Sequence, residues 1–105
     1  MSIFEAYDTE FGALAESIGK EFANLRAQED GGNDGGAAIR MLEALLSQSL
    51  DLIKQMEVEV RSHDGPTRKQ LGDKVSHYKK SLMVQKTDLA SCKNKIAKAH
   101  LRNDG

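Results

Sequence analysis

Apolar residues recur at alternating steps of three and four in three separate stretches of the chain, which begin at Phe4, Ile39 and Leu71. This spacing places the apolar side chains on one face of an α-helix, and a seven-residue period is typical of helices that supercoil left-handedly. The pattern therefore predicts three amphipathic helices. They are expected to span about residues 3–28, 37–62 and 67–101.

Two short segments separate the predicted helices. The first, residues 29–36, ends in a run with four glycines, and the second, residues 63–66, contains the only proline of the chain. Glycine runs and proline end helices, and short connections make successive helices antiparallel. The sequence thus predicts an all-α fold, an up-down-up antiparallel three-helix bundle with a left-handed supercoil. We expect residues 1–105 to be a single domain excised from a longer protein.

The apolar stripes of the three predicted helices should meet in one interior. Folding the chain at its linkers places Met56 opposite Val75 and brings Phe11 beside Met56. Ser49 and Gln85 interrupt the stripes. Either they fix the register of the helices from core-facing positions, or they lie at the edge of the core with their polar ends in water.

The net charge of −1 conceals a separation of charge along the chain. Residues 1–34 carry eight acidic and two basic side chains, whereas residues 66–102 carry ten basic and two acidic ones. Either the basic third helix attracts its neighbours within the bundle, or it presents a strip to phosphates or an acidic partner. That strip would comprise Lys69, Lys74, Lys79, Lys80, Lys86, Lys93, Lys95 and Lys98.

No residue pattern indicates a catalytic, cofactor or metal site. The three histidines, His63, His77 and His100, and the single cysteine, Cys92, lack the spacing of three or four residues that pairs metal ligands on a helix. The carboxylates fall on predicted helix exteriors, away from an apolar pocket that would raise their pKa for acid–base chemistry. We expect no enzymatic activity and no cofactor. Cys92 lies on an apolar stripe, and we expect a buried, inert thiol there.

Three apolar residues fall outside the predicted stripes: Val58, Met83 and Val84. Single exposed apolar side chains are ordinary, but a cluster of them on a surface marks a site for a partner. We therefore take these three residues as the candidate partner surface. With no apolar run that approaches the length of a membrane span, the chain is expected to act by recognition from its outer surface.

Several stretches resemble the Vti family of Qb-SNAREs. Residues 4–11, Phe-Glu-Ala-Tyr-Asp-Thr-Glu-Phe, resemble the family's Phe-Glu-x-Tyr-x-x-acid-Phe opening. Residues 55–61, Gln-Met-Glu-Val-Glu-Val-Arg, resemble the end of the second helix of its N-terminal Habc domain. The Tyr-Lys pair at 78–79 and the Thr-Asp pair at 87–88 follow in the family's order and spacing. The first linker departs from the family, because it is shorter and richer in glycine.

The resemblance implies an N-terminal regulatory and sorting domain of a SNARE that acts in vesicle transport and membrane fusion. Such domains are bound by ENTH domains of epsin-related adaptors, and other SNAREs bind through an assembly helix that this chain lacks. The full-length protein would be membrane-anchored, with this domain as a soluble monomer on the cytoplasmic face of Golgi, endosomal or vacuolar membranes. The rival hypotheses are a nucleic-acid or phosphoinositide module that uses the lysine strip, and a coiled-coil dimer.

Overall fold

The computed structural model describes residues 2–30 and 35–104, with side chains for residues 2–28 and 35–98. The described residues form three α-helices and no strand: α1 (Ile3–Asp30), α2 (Gly36–Arg61) and α3 (Gly65–Asp104). The predicted all-α three-helix bundle is confirmed. The helices lie side by side in a rod of about 60 × 20 × 16 Å.

The helix ends follow from local chemistry. The hydroxyl of Ser2 accepts a hydrogen bond from the backbone N–H of Glu5 at 3.1 Å, which satisfies one of the free donors at the start of α1. α3 begins at Gly65, two residues before the expected Thr67, because proline fits the first turn of a helix, where its missing N–H leaves no helical bond unmade. Thr67 therefore lies inside the helix and does not cap it.

The interior of the bundle is a single apolar cluster to which all three helices contribute. Phe11, Met56 and Val75 all lie in it, with at most 6% of their surface exposed, as the stripes predicted. Gln85 is half-buried at its margin. Ser49 is fully buried, and its hydroxyl donates a hydrogen bond to the carbonyl of Leu45 at 2.9 Å. The edge-of-core interpretation is therefore wrong for Ser49, because its own helix satisfies the hydroxyl without water.

α2 packs closely against both other helices, whereas α1 and α3 meet mainly through long side chains. The two connections fit this arrangement. Residues 31–34 of the predicted first linker lie outside the described residues. The next residue, Gly35, is buried beside Leu25 of α1 and Ile96 of α3, so all three helices converge at this end of the rod.

Candidate partner-binding surface

Two ion pairs show the register of α2 against α3. Lys79 Nζ lies 3.2 Å from Glu57 Oε2, and Lys93 Nζ lies 3.6 Å from Glu43 Oε2. The two glutamates are fourteen residues apart on α2 and the two lysines fourteen apart on α3, in opposite order along the chain. The helices are therefore antiparallel and in step over this length.

Two shallow depressions lie along the same seam. The larger, of about 310 Å³, has a floor of Leu46, Leu50 and Leu89, with Lys86 at its edge. The other, of about 220 Å³, lies near the far end of α2, beside Arg61. We call this side of the bundle the α2/α3 face: it comprises the two ion pairs and the residues that line these depressions.

The structure divides the three candidate residues between two helices, with Val58 on α2 and both Met83 and Val84 on α3. Val58 follows Glu57, the partner of Lys79, and so points about 100° away from it, while Met83 lies one turn beyond Lys79 along α3, a rise of about 6 Å. Val84 points about 100° away from Met83, as successive helical residues do. All three side chains are exposed, at 61%, 61% and 60%. Met83 and Val84 line a shallow depression of about 240 Å³ that does not include Val58.

A second cluster joins α1 to α3, and the sequence pattern does not predict it. The phenol of Tyr78 donates a hydrogen bond to Asp8 Oδ1 at 2.5 Å, and Lys74 Nζ lies 2.7 Å from Asp8 Oδ2. The Tyr78 ring stacks on Phe11, with 4.2 Å between ring centroids. Only the position of Tyr78 on an apolar stripe hinted at this contact, since the partners lie far apart in the chain.

The cluster shifts the pKa of both acidic groups. Burial, and then the hydrogen bond and negative charge of Asp8, raise the pKa of Tyr78 to about 12. For Asp8, burial by itself would raise the pKa. The hydrogen bonds from Lys74 and Tyr78, together with the charge of Lys74, outweigh burial and lower the pKa below its ordinary value.

We expect the contribution of Asp8 to stability to depend on pH at both extremes. Asp8→Ala should lower the free energy of unfolding by about 1 kcal/mol near neutral pH. A lowered folded pKa contributes stability that is lost as pH falls through it, so the effect should shrink below about pH 4. A raised Tyr78 pKa contributes stability that is lost as pH rises from about 10 to 12. Urea denaturation of both proteins across this pH range checks the expectation.

The matched control is Glu16→Ala, which removes an exposed carboxylate paired with Lys20 in the same helix. It should change the free energy of unfolding by no more than about 0.5 kcal/mol at any of these pH values. Equal pH profiles for the Asp8 and Glu16 variants would contradict a specific role for the α1–α3 cluster.

A family model described as the vesicle transport v-SNARE protein N-terminus matches residues 1–98. The chain belongs to this family. Comparisons with curated proteins and with solved structures gave no match. A v-SNARE N-terminal domain is a component of vesicle transport, so the coarser part of the sequence resemblance is confirmed.

In this v-SNARE domain, the eight lysines of the predicted strip divide into two groups. Lys74, Lys79 and Lys93 form ion pairs with acidic residues of α1 and α2, so part of the predicted strip serves the bundle itself. Tyr78, the only aromatic residue of the strip, is held inside by Phe11 and Asp8 and offers no ring for a base to stack on. The remaining lysines are Lys69, Lys80, Lys86, Lys95 and Lys98, all exposed.

The other candidate residues of the v-SNARE domain are dispersed. His63 is half-buried, with Nε2 at 3.3 Å from Glu59 Oε1, and His77 is exposed, while the side chain of His100 lies outside the described residues. Cys92 is half-buried against the core rather than fully buried, because it lies at the flank of the α3 stripe. Within the described part of the chain, no three histidine, cysteine or acidic side chains cluster as metal ligands would. None of its helices is both long and apolar enough to cross a membrane.

Proposed function

We propose that the chain is the N-terminal regulatory and sorting domain of a Vti-like SNARE, and that it binds ENTH-type adaptor proteins by surface recognition. The v-SNARE family match over residues 1–98 supports the trafficking role. The Vti-like motifs at residues 4–11 and 55–61 support the finer assignment. On this proposal the protein works on the cytoplasmic face of Golgi, endosomal or vacuolar membranes.

The observation that carries the adaptor proposal is the exposure of Val58, Met83 and Val84. These side chains lie on a bundle whose apolar stripes are otherwise turned inward, so packing of the domain does not account for them. Met83 and Val84 line one shallow depression, and the α2/α3 face offers a partner both apolar contacts and a charged rim. A surface of this size suits weak, transient and salt-sensitive binding.

The packing of the three helices also bears on self-association and on contacts with other SNAREs. Because the stripes of α1, α2 and α3 bury one another, we propose that the domain is a monomer and not a coiled-coil dimer. Contacts with other SNAREs would be made by an assembly helix outside these 105 residues, in a membrane-anchored full-length protein.

Titration of the labelled chain with an ENTH domain, followed by amide chemical shifts, tests the proposal. We expect shifts around Val58 and Met83, and we expect Val58→Ser and Met83→Ser each to weaken binding about tenfold, as the loss of a central apolar contact does. Both side chains are exposed, so neither substitution should unfold the domain.

Met41→Ser is the matched control, because Met41 is also an exposed methionine, at 49%, but lies on a different side of α2. It should leave the affinity unchanged. Absence of any amide shift up to millimolar adaptor would count against adaptor binding. An equal loss of affinity for Met41→Ser and Met83→Ser would contradict Val58, Met83 and Val84 as the binding surface.

A further inference from the structure

One side of α3 faces away from both other helices, and its exposed residues recur at helical spacing. We call this side the outer face of α3. It carries Lys69, Lys80, Val84, Lys95 and Lys98. Steps of three, four and eleven residues separate them, and all three steps return to the same side of a helix. Two acidic residues, Asp73 and Asp88, lie on or beside this face.

The lysines of the outer face are not used by the bundle. Lys74, Lys79 and Lys93 turn toward acidic residues of α1 and α2, whereas Lys69, Lys80, Lys95 and Lys98 form no ion pair with another described side chain. Their positive charge is therefore available to a partner outside the bundle. The acidic surplus of the chain lies on α1, so the two signs of charge are held on different sides of the rod.

We infer that the outer face of α3 docks on an anionic membrane surface. The charge separation would orient the rod near such a surface, with α3 toward the lipid and α1 away from it. This goes beyond the proposed adaptor function, because it concerns a different kind of partner and, apart from Val84, different residues.

The shape and chemistry of the face favour a bilayer over an acidic protein. The four lysines extend over about 44 Å along one exposed helix, a long convex strip that suits a plane better than a pocket. Among the side chains that the structure describes, the basic residues of this face are all lysines, which act as separate point charges, whereas arginine is the residue that forms bidentate contacts with individual phosphates. Val84 stands 60% exposed within the strip, where it can reach between lipid headgroups. The family acts in vesicle transport, a process that takes place at membranes.

Co-sedimentation of the whole chain with phosphatidylcholine vesicles, with and without phosphatidylserine, tests the inference. We expect binding to require phosphatidylserine and to weaken as salt is added. Each lysine near an anionic surface strengthens binding about fivefold. The double glutamine variant, Lys80→Gln with Lys95→Gln, should therefore weaken binding about 25-fold, and Lys80→Glu combined with Lys95→Glu should weaken it further.

The matched control combines Lys20→Glu with Lys54→Glu, which makes the same change in net charge on exposed positions of α1 and α2. It should bind vesicles far better than the outer-face variant, and circular dichroism should show equal helix content in both. Equal losses in the two double variants, or binding without phosphatidylserine, would overturn the inference. So would binding to polyglutamate but not to vesicles, since that outcome indicates an acidic protein partner.

The vesicle experiment tests the membrane proposal independently of the adaptor proposal. Lys80 and Lys95 line none of the depressions at the candidate partner surface, so the double glutamate variant should keep most of its adaptor affinity. A domain that binds vesicles but no ENTH domain would refute the adaptor proposal alone, and a domain that binds only the ENTH domain would refute the membrane proposal alone.

Discussion

Phe11→Ala is expected to lower the free energy of unfolding by about 4 kcal/mol, a large part of the stability of a domain of this size. Phe11 is only 6% exposed, and its removal leaves a cavity where the neighbouring atoms cannot fully collapse. It also removes the ring on which Tyr78 stacks, and so weakens the cluster that joins α1 to α3. Urea denaturation followed by circular dichroism measures the loss.

Two further variants separate the contributions to this loss. Phe11→Leu keeps most of the apolar volume but loses the ring stack, and it should cost about 1–1.5 kcal/mol. Ile3→Ala, in the same helix but 59% exposed, should cost about 0.5 kcal/mol or less. If Ile3→Ala proved as costly as Phe11→Ala, the position of Phe11 in the core would not explain its effect.

Gly35→Ala is expected to lower the free energy of unfolding by about 2–5 kcal/mol, for two independent reasons. Gly35 has φ +69°, a left-handed conformation that costs other residues about 1–2 kcal/mol. An added Cβ would also overlap the Cδ1 atom of Leu25, which is fully buried and has little room to move. Overpacking of this kind costs about 1–3 kcal/mol. Thermal or urea denaturation measures the sum.

Gly65→Ala provides the matched comparison. Gly65 also has a positive φ, of +59°, but a Cβ added there meets nothing within 4 Å. It should therefore show the backbone strain without the overlap, at about 1–2 kcal/mol. The difference between the two variants measures the close contact with Leu25. Equal costs would mean that the end of the bundle near Gly35 is looser than its packing indicates.

The helical elements were predictable because they depend on short-range periodicity. The stripe through Phe11 and the stripe through Met56 each identify a buried face from neighbours three and four residues away, and Ser2 caps α1 through a residue only three positions on. Local chemistry of this kind can be read without knowing how the helices are placed. It left two positions open for Ser49, the core and its edge, and the structure decides for the core, where the carbonyl of Leu45 in the same helix accepts the hydroxyl's hydrogen bond.

The candidate surfaces were only partly predictable. Exposure of Val58, Met83 and Val84 follows from helical phase, but their grouping does not: Met83 and Val84 line one shallow depression on α3, and Val58 lies on α2 outside it. The same limit applies to the lysines. The sequence shows a basic third helix, yet only the rotation of α3 against its neighbours decides that Lys79 meets an acid and Lys80 meets solvent.

From the sequence alone came the number of helices, the faces they bury, the separation of charge and the resemblance to a SNARE family, since each is a property of residues close together or of counts along the chain. The tertiary structure alone decided which side chains from distant positions meet. Asp8 and Tyr78 are seventy residues apart, and no periodic pattern connects them. Their contact depends on the offset and rotation that core packing imposes on whole helices, and these are set by all the buried side chains together.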